Sequence, residues 1–216
     1  MMKLELIVVL AFFLIAGCAR ESQITGTTVK NTVNDGPQTR APPSEPGKNV
    51  LFIIAQKDFR DEELTQPRAI LEEAGHKVRV ASPTGETATG MLGLTVRPDL
   101  AVKEANLDDY DMVVVVGGTG SPELANYPEV LNLISSAYDA GKPIGAICLG
   151  PMVLAKAGVL RGKRATVSSS AESLTALAEG GAVVTYDPVA RDGNIITANG
   201  PGAATAFGNE LARVLK

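Results

Sequence analysis

The 216-residue chain contains no tryptophan, and aromatic residues make up only 4% of it. That argues against a stacking platform for bases or sugars, while leaving room for a small-molecule site. Basic residues are not in excess either: 20 Lys and Arg stand against 24 Asp and Glu, for a net charge of -4 and a pI near 5.1. A nucleic-acid-binding face needs a basic patch, so that class is discounted. Histidine occurs once, as His76, and cysteine only as Cys18 and Cys148. One histidine and one uncommitted thiol make a poor ligand set for a catalytic metal.

What is present suits one folded domain. With 45% hydrophobic residues, the chain can bury a full core, and its 22 glycines suit a fold with many tight strand-to-helix turns. Residues 1–17 read as a targeting segment, with Lys3 near the start and an apolar run from Leu6 to Ala16 that is short for a bilayer span. The sequence Leu14-Ile15-Ala16-Gly17-Cys18 resembles the lipobox of prokaryotic lipoproteins, in which the cysteine is lipidated. Glu5 departs from the usual basic leader, and an ordinary signal peptide or an uncleaved anchor are the alternatives. The expectation is an exported lipoprotein of the cell envelope, anchored to the membrane at Cys18. Lipid on Cys18 rules out an intramolecular disulfide and leaves Cys148 a lone thiol, either well buried or functional. Residues 18–48 are rich in Thr, Ser, Asn, Gly and Pro and read as a flexible tether, so the folded domain spans 49–216.

Within that domain strands alternate with helices. Apolar runs at Val50–Ala55, Met112–Val116 and Pro143–Ile147 suit strands buried on both faces, and Lys77–Ala81 reads as another strand. Asp61–Ala74 is helical, with Leu64, Leu71 and Ala74 on one stripe and Gly75 as its stop. Pro128–Ala140 is a second helix, with Val130, Ile134, Ala137 and Tyr138 on one face. Thr84–Arg97 reads as a small hairpin. Later come helices at Pro151–Ala157 and Ala171–Glu179, and short strands at Ala165–Val167, Ala182–Tyr186 and Asn194–Thr197. A last helix carries Phe207, Leu211 and Val214. This alternation implies a parallel sheet with helices on both faces, and in such sheets ligands bind at the carboxyl ends of the strands.

Gly145-Ala146-Ile147-Cys148-Leu149-Gly150-Pro151 places Cys148 where a buried strand turns sharply into a helix, the geometry of a nucleophile elbow. Helix-start N–H groups and the helix dipole would favour the thiolate. A packed structural cysteine is equally compatible with the elbow alone.

Four features together resemble the ThiJ/PfpI superfamily, a class I glutamine amidotransferase-like group. They are Glu63 four residues before Pro67, Asp111 running into Gly117-Gly118, Ala146 to Pro151, and Asn199-Gly200-Pro201-Gly202. The resemblance implies an α/β, flavodoxin-like three-layer sandwich with a mostly parallel sheet and a cysteine nucleophile elbow. It implies that Glu63 lies beside Cys148 and that the backbone N–H groups of Gly118 and Leu149 form the oxyanion site. A carboxyl buried there should have a raised pKa and donate to sulfur. Pro67 cannot donate to the Glu63 carbonyl, which loosens the helix where the carboxyl must reach the elbow. Asp61 and Glu62 read as ordinary first-turn acids.

Peptidase-like members carry a histidine directly after the cysteine, where this chain has Leu149; others carry one near the position of Ser168, Ser169 and Ser170. His76, at the start of the second strand, reads as structural. The expected function is a cysteine-dependent enzyme, independent of cofactor and metal, acting on a small carbonyl substrate such as a 2-oxoaldehyde or a glycation adduct. A redox or stress sensor acting through Cys148 is the non-enzymatic alternative, and a peptidase the weaker one. Family resemblance also implies a homodimer or larger assembly.

Overall fold

The computed structural model describes residues 47–216. The targeting segment, Cys18 and the tether up to residue 46 lie outside the described residues. Chain order runs β1 (Asn49–Ile53), β2 (Lys57–Phe59), α1 (Asp61–Glu73), β3 (Lys77–Ser82), β4 (Ala88–Gly90), β5 (Thr95–Val96) and β6 (Leu100–Ala101). It continues with β7 (Met112–Val115), α2 (Pro128–Asp139), β8 (Ile144–Ile147), α3 (Gly150–Lys156), β9 (Arg164–Ala165) and α4 (Ala171–Glu179). The last elements are β10 (Val183–Val184), β11 (Val189–Asp192), β12 (Ile195–Ala198) and α5 (Ala204–Val214). Among the described residues no helix is long and apolar enough to cross a membrane.

Seven strands form the main sheet in the order β11-β12-β8-β7-β1-β3-β6, and only β11 runs antiparallel to its neighbour. β7 and β8 are apolar at every position, and β1 is so after Asn49, because both faces are covered. Along β1 and β7 the period of two sends Leu51, Ile53, Val113 and Val115 to one side, against α2, α3 and α4. Val50, Phe52, Met112 and Val114 go to the other side, against α1 and α5. This is the three-layer sandwich that the alternation of elements implies. Each fully buried large side chain, such as Phe52, Ile134 or Phe207, stabilises the fold by about 1.5–3 kcal/mol.

Two glycines set how closely the second layer approaches. A Cβ at Gly145 would come within 2.8 Å of Leu211 Cδ2, and one at Gly208 within 2.9 Å of Pro67 Cα. The buried Pro67 therefore packs α1 against α5, in addition to leaving the Glu63 carbonyl without its helical donor.

The structure adds strands that the sequence pattern does not reveal. β2 joins the expected hairpin, β4 and β5, in a separate three-stranded sheet, while β9 and β10, both expected as short strands, pair with each other outside the main sheet. β6 and β11 supply the two edges of the main sheet. Tyr138, expected on the buried face of α2, is 38% exposed, and Ala74, expected on the α1 stripe, is exposed at the helix end. Both sit at the last turn, where the layer above the sheet stops.

Candidate active site

β8 delivers Cys148 to the carboxyl end of the sheet, and the backbone there adopts φ of 61°. Left-handed backbone is uncommon for a residue other than glycine and costs on the order of 1 kcal/mol or more, so the surroundings must hold it. They do so from two later segments. The Cys148 N–H donates to the Ala198 carbonyl at the end of β12 (2.8 Å), and the Cys148 carbonyl accepts from the Ser168 N–H (2.9 Å). Ser168 thus abuts the elbow through its backbone.

Glu63 reaches the elbow from the first turn of α1 and is fully buried. Gly117, after β7, lies between the two groups: a Cβ there would collide with Cys148 Cβ, a Glu63 carboxyl oxygen and the Ile147 carbonyl. Only a residue without a side chain lets thiol and carboxyl meet. Gly118, at φ of 106°, fits beneath Asp58, Phe59 and Arg60 in the same way, and the Arg60 N–H donates to the Gly117 carbonyl (2.9 Å). Asp58, at φ of 57°, is the other non-glycine residue in left-handed backbone among the described residues.

Neither carboxyl oxygen of Glu63 has a hydrogen-bond partner at full geometry, despite complete burial. Burial pushes its pKa from 4.5 up to about 7, against the opposing pull of the nearby thiol, the Arg60 guanidinium and the Gly117 N–H. Burial, followed by the negative charge of Glu63, pushes the Cys148 thiol up to about 11. The N–H groups of Gly118 and Leu149 favour the thiolate but do not prevail. The helix start expected to favour the thiolate belongs to an α3 of only seven residues, and burial beside a carboxylate opposes it. The two groups titrate as a pair. Between about pH 7 and about pH 11 the pair retains one proton and carries one negative charge.

The structure brings Cys148, Glu63, Gly118 and Leu149 together; Cys18 is outside the described residues. His76 is at the other end of the sheet, before β3, and its Nδ1 accepts from the Lys48 N–H (3.2 Å). No Cys–His pair exists at the elbow. Among the described residues no group of three or more His, Cys, Asp or Glu side chains could hold a metal ion.

Asp61 is more than a first-turn acid. It is buried and accepts from the N–H groups of Leu92 (3.0 Å) and Leu94 (2.8 Å), which ties the β4–β5 turn to the start of α1. Its only sequence trace is position beside Glu63, since the partners lie about thirty residues away. Arg60, also passed over in the sequence, pairs its Nε and Nη2 with Glu62 at 2.8 and 3.1 Å.

Comparison with known proteins agrees with this architecture. A ThiJ/PfpI domain protein from Brachyspira murdochii superposes with a TM-score of 0.75 at 31% identity, over 79% of this chain and 98% of the other. An uncharacterized protein of Methanocaldococcus jannaschii is 44% identical over 77% of this chain and 82% of its own length. A protein of Pyrococcus abyssi named a deglycase is 34% identical, over 77% of this chain and 99% of its own. The DJ-1/PfpI family model matches residues 48–214, nearly the whole described domain, and the chain belongs to the DJ-1/PfpI family.

Proposed function

We propose that residues 49–216 form a cofactor-independent, cysteine-dependent enzyme acting on reactive carbonyls, either 2-oxoaldehydes or glycation adducts. The observation that carries this reading is the buried contact of Cys148 with an unpartnered Glu63 across Gly117. The deglycase name of the Pyrococcus abyssi relative supports the adduct side of the substrate range.

In the singly ionised pair the remaining proton can sit on sulfur or on Glu63. As sulfur attacks the carbonyl carbon, the S–H proton passes to the Glu63 carboxylate and a C–S bond forms. The C=O π electrons move to oxygen, where the Gly118 and Leu149 N–H groups would stabilise the charge. One such donor is worth about 2.7–4 kcal/mol. Glu63 then returns the proton to that oxygen, giving a hemithioacetal. No histidine is needed, because the carboxyl serves as base and acid in turn.

The redox-sensor alternative calls for a thiol with a depressed pKa, and burial beside Glu63 pushes Cys148 in the other direction. A peptidase of the type that pairs cysteine with histidine has no counterpart here, because the chain's one histidine is at the far end of the sheet.

Purified protein should consume methylglyoxal with formation of lactate, or release the amine or thiol from its adducts. Cys148→Ser should lower turnover at least about a thousandfold. Equal inactivity of wild type and Cys148→Ser across a carbonyl panel would remove this reading. Two further parts of the proposal rest on the sequence. Anchoring through Cys18 is checked by metabolic labelling with a fatty acid, which Cys18→Ala should abolish. Self-association is checked by light scattering, where a monomer would exclude it.

A further inference from the structure

Arg60 occupies the N-cap of α1, three residues before Glu63, and its backbone is fixed against the site by the bond to the Gly117 carbonyl (2.9 Å). Gly118 packs directly beneath it. The side chain is 28% exposed, with Glu62 engaging only Nε and Nη2. Among the described residues no acceptor engages Nη1, so one edge of the guanidinium fork is free. Its charge reaches both Glu63 and Cys148. A cation is not required to seat a neutral carbonyl. An anionic substrate, in contrast, would be repelled by the negative charge of the Cys148–Glu63 pair unless a cation received its charged end.

We propose that Arg60 is a specificity-determining residue that receives a carboxylate on the substrate, so that the preferred substrates are anionic carbonyl compounds such as 2-oxoaldehyde adducts of molecules bearing a free carboxylate. This rests on the carbonyl reading above and narrows it. The carboxylate would be received beside Glu63, which is fully buried against Cys148 and whose negative charge Arg60 offsets. Glu62 is an orienting partner: exposed ion pairs of this kind are weak, and guanidinium can bridge two carboxylates because it carries five donors in a fixed fork.

The test uses a matched pair of thiol reagents, iodoacetate and iodoacetamide, which differ in charge but attack the same sulfur. Alkylation of Cys148 in the full chain is followed by peptide mass spectrometry, and the ratio of the two rates is compared between variants. Thiol ionisation affects both reagents alike and cancels from the ratio. Arg60→Gln should lower the iodoacetate-to-iodoacetamide ratio about tenfold, the size expected for a hydrogen bond to a charged group at a partly exposed site. Arg60→Lys should retain part of the ratio, and Glu62→Gln should raise it. An unchanged ratio in Arg60→Gln overturns the proposal, as does an equal fall in both rates, which would mean that Arg60 acts only on the thiol.

Turnover supplies an independent readout. Methylglyoxal hemithioacetals of N-acetylcysteine and of its amide differ only in the carboxylate, and Arg60→Gln should raise KM for the first alone. A charge-dependent alkylation ratio in a protein with no carbonyl turnover would retain the anion site and remove the proposed enzyme. Turnover with no preference for the carboxylate would do the reverse.

Discussion

The two ends of the sheet are built from the same strands and follow opposite rules. At the amino ends, polar groups find partners: Asn49 N–H donates to Asp111 (2.8 Å), its side chain to the Asp109 carbonyl (3.0 Å), and Lys142 Nζ to the Leu107 carbonyl (2.9 Å). At the carboxyl ends, Cys148 and Asp58 adopt left-handed backbone and Glu63 is buried without a partner. An uncompensated carboxyl costs stability wherever it occurs, so its confinement to one end separates the part of the molecule that holds the fold from the part that does chemistry. The first end should tolerate conservative change, whereas the second should lose activity, stability or both.

The largest effect should come from Gly117→Ala. With thiol and carboxyl already in contact with the glycine, the added methyl must displace one of them. A loss of about 3 kcal/mol in urea denaturation is expected, together with loss of turnover. Wild-type stability with wild-type turnover would mean that the two groups do not meet across this residue.

Glu63 gives the contrast a pH signature. Its folded pKa, about 7, lies above its ordinary 4.5, so the folded state binds this proton more tightly than the unfolded chain does. The associated stability is fully present below about pH 4.5 and is lost as pH rises through about 7. In size it is about 3 kcal/mol. Subtracting the denaturation profile of Glu63→Gln from that of wild type should isolate this fall, and a flat difference from pH 4.5 to 8 would contradict the buried, unpaired state of the carboxyl.

Asp61 lies near the reactive end but belongs to its scaffold. Asp61→Ala leaves two turn N–H groups without their acceptor and should cost about 2 kcal/mol. Faster hydrogen exchange at Leu92 and Leu94 would locate the damage. His76→Gln, at the amino end, should change stability by less than about 1 kcal/mol and leave turnover unaltered, because it removes one partly exposed hydrogen bond.

The same contrast explains what could be read from the sequence. Val50–Ile53 and Met112–Val115 are continuous apolar runs and announce central strands. β2 (Lys57-Asp58-Phe59) buries a single side chain, and β11 (Val189–Asp192) buries only Ala190, so neither carries a pattern above its surroundings. The elbow is legible as a strand running into Cys148 and Pro151, and Glu63 is identified through family resemblance. The protonation of the pair is not, because it depends on how deep the sulfur lies and on which charge faces it. The roles of Asp61 and of the Arg60 backbone are invisible for another reason: their partners are set by how α1 meets the β4–β5 turn and the Gly117 loop, and no local spacing encodes that meeting.

The bond from Cys148 to Ala198 also sets an order of events in synthesis. The acceptor that holds the elbow in left-handed backbone emerges from the ribosome fifty residues after the cysteine it holds, on the last strand of the main sheet. A chain halted before that strand carries an elbow lacking this bond, and one released after it can close the site in a single docking event. Products truncated before β12 should therefore lack this hold on the elbow, keeping at most the bond from Ser168.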